Sequence, residues 1–167
     1  ERDYWWTSAR FLADLASASS VGAEAARRTI RRLGARKPQT CQVPVVFEAP
    51  VASRLLGSLG GALLGGAIYR KASYLTDKLG ERIANELFTI EDNPHIPRAP
   101  GSRGFDGEGL ATRPITVVDK GILQSYALDA YSARKLGLES TRHASRGLTS
   151  TPSPSWTNFW MSNGAVP

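Results

Sequence analysis

The side chains best suited to chemistry are few and scattered. Beyond its carboxylates the chain offers only His95, His143 and Cys41 as metal ligands. A catalytic zinc needs several such groups converging on one ion, and no two of these sit one helical turn apart. His95 follows Asn93-Pro94, and His143 stands in Thr141-Arg142-His143, so each reads as a surface or loop histidine. No G-x-S-x-G elbow is present to activate a serine. The glycine-rich run from Gly57 to Gly66 lacks the phosphate-loop lysine and hydroxyl and also the dinucleotide spacing, which excludes both nucleotide readings. Glycines at 57, 61 and 65 share one face of a helix, where bare backbone permits close packing. Phe105-Asp106-Gly107-Glu108-Gly109 sets two carboxylates two residues apart in a flexible loop. Such a pair could coordinate a cation, orient a substrate amine or solvate the loop.

The elements that must position these residues follow from pattern. Residues 4 to 12 alternate aromatic and small side chains and predict a strand. A helix capped by Ser19 or Ser20 follows, with Val21, Ala25, Ala26, Ile30 and Leu33 as its apolar stripe and Gly34 at its end. Residues 40 to 48 read as a buried strand with Pro44 at an edge or bulge, and Cys41 as a small packed hydrophobe. Pro50 opens a second helix, apolar from Leu55 to Ile68 but shorter than the about 20 residues that cross a membrane. Residues 87 to 90 predict a short strand, and 93 to 109 a long loop. Leu110 to Val118 and Ile122 to Leu128 flank Asp119-Lys120-Gly121 and predict a hairpin, followed by a short helix over 129–136 that Gly137 ends. Residues 156 to 161 read as another strand. All four tryptophans lie at positions 5, 6, 156 and 160, so both ends are expected to be buried in something larger.

Bulk properties set the class. The 167 residues are 41% hydrophobic and 22% charged, the balance of a core-forming domain. A single cysteine forms no internal disulfide, and the first residues have neither the basic start nor the apolar stretch of a signal peptide, so a reducing cytosol is the expected setting. The net charge of +6 would suit nucleic acid, but much of it is local to Arg27, Arg28, Arg31, Arg32, Arg36 and Lys37. That run reads as the solvated face of a helix rather than a phosphate-binding surface.

Four segments in order resemble the signatures of the TldD/PmbA metallopeptidase family. They are Tyr69-Arg70-Lys71-Ala72-Ser73-Tyr74-Leu75, Asp77-Lys78-Leu79-Gly80, Phe105 to Gly109, and Tyr131-Ser132-Ala133-Arg134-Lys135-Leu136-Gly137. Ala25 to Lys37 and Tyr4 to Arg10 are similar to the PmbA/TldE branch. The elements read from pattern predict an α+β fold, a mainly antiparallel sheet with a packed glycine-rich helix and an amino-terminal arginine-rich helix, and the resemblance implies that the sheet is barrel-like. It assigns residues 1–37 to the end of an amino-terminal domain with its connecting helix, and 38–167 to part of the carboxy-terminal domain, in a chain that continues at both ends. In TldD-type members the helix before Tyr69 carries His-Glu, three residues, then His. Those places fall here on Gly57, Ser58 and Ala62, which offer no zinc ligand and no carboxylate base.

By resemblance, this chain would bind no cofactor, and zinc would sit in a TldD-type partner subunit. The pair would act in the cytoplasm on unfolded or small peptides, with nucleic acid and membrane outside its partners. Asp106, Glu108 and Arg70 are the expected contacts to substrate or subunit. A self-sufficient homodimeric peptidase with ligands outside this sequence, and a basic nucleic-acid-binding or regulatory protein, remain the alternatives. The family's label as a modulator of DNA gyrase touches the second.

Overall fold

A computed structural model describes residues 1–142. The chain divides into two compact units, Glu1–Val46 and Phe47 onward, while the family resemblance places its domain division at 37/38.

In the first unit a 3-10 turn at Leu12–Asp14 precedes helix α1, Ala18–Arg31. Ser17, one residue before the alanine that opens the helix, is the cap: its hydroxyl accepts from the Ser20 amide at 3.2 Å. Ser19 and Ser20, the caps that the sequence predicts, both lie within the first turn. Gly34 takes φ +73, the left-handed geometry expected after the helix. Residues 4 to 12 form no strand. Their aromatic rings pack instead on one another and on α1, with Tyr4 and Trp6 stacked at 5.6 Å and the Arg28 guanidinium 5.0 Å from the Trp5 ring. Asp3 ties the same segment to α1, its amide donating to Thr29 Oγ1 at 3.1 Å.

The predicted strand over 40 to 48 is also absent. Val43, Val45 and Val46 are exposed, Val46 at 96%, and Cys41 is exposed rather than packed. Pro38 and Pro44 lack amide donors, and no described strand pairs with this stretch.

The second unit opens with α2, Ala49–Ala62, with Pro50 in its first turn. The apolar run does not continue as one helix to Ile68. Leu64 is extended at φ −64, ψ 134, and a short α3, Gly65–Tyr69, follows. The break exchanges local helix bonds for two distant ones: Gly65 N donates to Ala127 O at 2.9 Å and Ala127 N to Leu63 O at 3.0 Å. It also turns Leu63 into the core, 2% exposed.

Three strands, β1 (Ile90–Asp92), β2 (Ile115–Asp119) and β3 (Ile122–Leu123), form an antiparallel sheet in that order. Ile90 pairs with Val118 and Val118 with Leu123, placing three core residues in one row across the sheet. The hairpin turns on Lys120 (φ 45) and Gly121 (φ 80), both positive as a two-residue type I′ turn requires. A Cβ on Gly121 would lie 2.6 Å from the Asn85 carbonyl oxygen, so glycine is needed twice over there.

The hairpin arms are shorter than sequence reading made them, and among the described residues the sheet is open, not a barrel. Three strands this short cannot complete the tilt and stagger of closure. Helix α4, Ala130–Leu136, is capped by Asp129 and ended by Gly137 at φ 67, as the pattern predicts. The architecture is α+β: Leu63 and Ile68 from the first helices, Leu75 from the connecting loop, the sheet valines and Leu123, and Tyr126, Leu128 and Ala133 share one core.

The glycine face divides. Among the described residues nothing lies within 4 Å of a Cβ placed on Gly57 or Gly61, so these two do not serve close packing. Gly65 does: its added Cβ would sit 2.5 Å from Ser132 Cβ and 2.9 Å from Leu128 Cδ2, which lets α3 rest directly on α4. The helix break explains the split, since it takes Gly65 off the α2 face altogether. No helix among the described residues is long and apolar enough to cross a membrane.

Candidate functional site

The acidic loop is built around Asp106. This side chain is buried at 4% exposure, and its Oδ1 accepts from the Glu108 and Leu110 amides, each at 2.9 Å. Its own amide donates to Leu110 O at 2.9 Å, and Phe105 bridges to Ala111. Three bonds thus close a tight turn on one aspartate. Glu108 points outward, and its Oε2 accepts from the Ala130 amide at 2.9 Å, at the first turn of α4. A carboxylate there meets an unpaired N–H and the positive end of the helix. The two acids, read from sequence as a pair, therefore diverge: one holds the loop's shape and the other fastens that loop to α4.

The preceding loop is organised in the same way. Arg103 N donates to Pro94 O at 2.9 Å, and the Arg103 guanidinium pairs with Asp92 at 3.3 Å. Thr112, buried, donates to Arg103 O at 2.7 Å and lies 3.2 Å from His95 Nε2. His95 is thus engaged by a hydroxyl on the surface of the loop. His143 lies outside the described residues.

The three degenerate positions sit on α2 and at its end. Gly57 is exposed, Ser58 Oγ donates to the Arg54 carbonyl at 3.2 Å, and Ala62 contributes only its carbonyl, which accepts from Ser73 Oγ at 2.6 Å. None presents a group that ligates zinc, and among the described residues no three His, Cys, Asp or Glu side chains are placed to hold an ion.

Arg70 lies on the surface at the end of α3. Its Nε donates to Gly66 O at 2.7 Å and its guanidinium lies 5.8 Å from the Tyr69 ring. Tyr69 in turn meets Tyr131 of α4 edge-on at 5.7 Å, with Lys135 Nζ 5.6 Å from the Tyr131 ring. Sequence reading singled out Arg70 without this company. The spacing of Tyr131 and Lys135, one helical turn, was available as a signal, whereas the Tyr69 contact crosses 62 positions (131 − 69) and was not.

In the arginine-rich helix, several charges are already spent. Arg27 makes a two-pronged pair with Glu24 at 2.7 and 2.6 Å, and Asp3 lies 3.5 Å from Arg28 and 3.6 Å from Arg32. The Tyr4 amide and these two arginines hold the Asp3 carboxyl below its usual range, and Arg27 does the same for Glu24.

Residues 40–167 match the family model described as the PmbA/TldA metallopeptidase C-terminal domain. The protein named Metalloprotease PmbA from Escherichia coli O157:H7 is 46% identical over 144 residues, 86% of this chain and 32% of its own length. A Metalloprotease TldD homolog from Haemophilus influenzae is 34% identical over 143 residues, 84% of this chain and 30% of its own. A crystal structure from Bacteroides thetaiotaomicron VPI-5482, described as a candidate modulator of DNA gyrase, superposes with a TM-score of 0.79 at 38% identity, covering 84% of this chain and 32% of that one. The chain belongs to the TldD/PmbA metallopeptidase family, on its PmbA/TldE branch. It spans about a third of the length of the curated relatives it matches.

Proposed function

We propose that the protein containing this chain is the PmbA/TldE-type subunit of a two-component cytosolic zinc metallopeptidase. It completes a chamber for unfolded or small peptides, and a TldD-type subunit supplies the zinc and the base. The observation that carries this reading is the set Gly57, Ser58 and Ala62: where the family resemblance places two imidazoles and a carboxylate, this chain has no ligating side chain. The ordered loop fastened by Asp106 and Glu108 is the wall this chain contributes, and the open sheet is the portion of a barrel-like sheet that it supplies.

The test is to purify the full-length protein alone and with a TldD-type subunit, free of chelators, and to measure zinc and cleavage of an unfolded peptide. The expected result is no stoichiometric zinc and no cleavage alone, with both appearing in the pair. Zinc and cleavage by the isolated protein would establish the self-sufficient homodimer instead. Within the pair, Asp106→Asn with Glu108→Gln removes charge while keeping size and acceptor atoms. Reduced assembly or cleavage is expected; normal values for both would confine Asp106 to holding the turn and Glu108 to fastening the loop to α4.

A further inference from the structure

The surface where α3 meets α4 carries a group of aromatic and cationic side chains. Gly65, packed on Ser132 and Leu128, brings the two helices close enough for Tyr69 and Tyr131 to touch edge-on. Arg70 covers Tyr69 and Lys135 covers Tyr131. Lys71 and Arg134 follow on the same two segments, and all four cations are exposed.

None of these four has a carboxylate partner among the described residues, and neither tyrosine hydroxyl has a hydrogen-bond partner there. Two of the acids beside α4 are committed elsewhere. Asp129 accepts from the Ser132 amide and hydroxyl, each at 2.6 Å, and Glu108 accepts from Ala130. What remains is a donor-rich patch of two guanidinium groups, two ammonium groups and two phenol hydroxyls, on a platform held by backbone bonds between Leu63, Gly65 and Ala127.

We propose that Tyr69, Arg70, Tyr131 and Lys135 form a docking patch for an acidic segment of a peptide. A carboxylate accepts from every group the patch presents and needs no acceptor in return. Single-stranded nucleic acid fits less well, because stacked bases need open ring faces and here a cation lies over each ring. The proposal deepens the peptide-handling function above and rests on it for the identity of the ligand. It concerns capture of the peptide by this subunit, apart from the zinc of its partner.

The experiment uses the full-length protein and fluorescence anisotropy with three labelled probes of equal length: a glutamate-rich peptide, the same peptide with glutamine for glutamate, and a single-stranded oligonucleotide. The glutamate peptide is expected to bind best, with affinity falling as salt screens the contact. Arg70→Gln combined with Lys135→Gln is expected to weaken it by about tenfold or more, the loss of charge-assisted hydrogen bonds, with the circular dichroism spectrum unchanged. Tyr131→Phe keeps the ring and the cation above it and is expected to cost less than the double variant. Equal binding of the glutamine peptide, preference for the oligonucleotide, or unchanged affinity in a folded double variant would overturn the proposal. Because anisotropy needs neither zinc nor cleavage, these outcomes are separate from failure of the subunit assignment, which is read from metal content and pairing.

Discussion

At the residue scale, the hydrogen bonds of a single side chain decide what its replacement costs. Asp106→Ala leaves the Glu108 and Leu110 amides without their acceptor, in a site where the parent side chain is buried. An unsatisfied buried donor costs about 1–3 kcal/mol, so a clear fall in Tm is expected. Asp106→Asn keeps an oxygen at the same place and should fall less; equal losses would show that charge, not the turn bonds, matters. Asp3 makes the pH prediction. Its folded-state pKa is lowered, first by the Tyr4 amide and then by Arg28 and Arg32. A depressed carboxyl stabilises the folded form above its unfolded value and loses that contribution as pH falls through the folded one. Acidification into and below the carboxylate range should therefore loosen the Tyr4–Trp6 segment from α1, seen as a change in tryptophan fluorescence that Asp3→Asn abolishes.

At the scale of elements, the two glycine environments predict opposite signs. Gly65→Ala drives a Cβ into Ser132 and Leu128 where α3 meets α4, and overpacking of this kind costs about 1–3 kcal/mol. Gly61→Ala meets nothing among the described residues and removes glycine from a helix, a gain of up to about 1 kcal/mol. Thermal melts of the two variants should move in opposite directions; a loss for Gly61→Ala in the full-length protein would mean that another surface covers α2. Tyr126 fastens the loop after α3. Its hydroxyl donates to Leu75 O at 2.6 Å and accepts from Lys78 N at 3.1 Å, so Tyr126→Phe strands both groups. A loss of about 1–3 kcal/mol is expected, with faster amide exchange at Lys78 as the local reading.

At the scale of the whole molecule, the absence of a ligand set at Gly57, Ser58 and Ala62 makes a division of labour testable. Installing Gly57→His, Ser58→Glu and Ala62→His supplies donors but not the groups that orient them. Groups that hydrogen-bond the ligands and orient them commonly account for about 10–100-fold in metal affinity or activity. Weak zinc binding and little cleavage by the isolated triple variant are expected; robust cleavage would show that only the ligands had been lost. Gly57 and Ser58 are exposed on α2, as are Val51 and Leu55 at 45% and 52%, whereas Ala62 packs against the core.

Much of this protein is written in local pattern. The hairpin turn within Asp119-Lys120-Gly121, the start of α2 at Pro50 and the end of α4 at Gly137 each depend on one or two residues whose backbone preference is intrinsic, and each is legible without coordinates. So is the loop over 93–109, because its prolines and glycines suit neither helix nor strand. What tertiary structure alone decided depends on distant partners. The break after Ala62 exists because Ala127 offers strand-like bonds to Leu63 and Gly65, and no periodicity within 49–68 announces it. The valines near 45 had strand propensity but no partner edge among the described residues, and propensity without pairing makes no strand. Asp106 and Glu108 stand two apart in sequence, yet one turns into its own loop and the other reaches α4, a separation set by where that helix is packed.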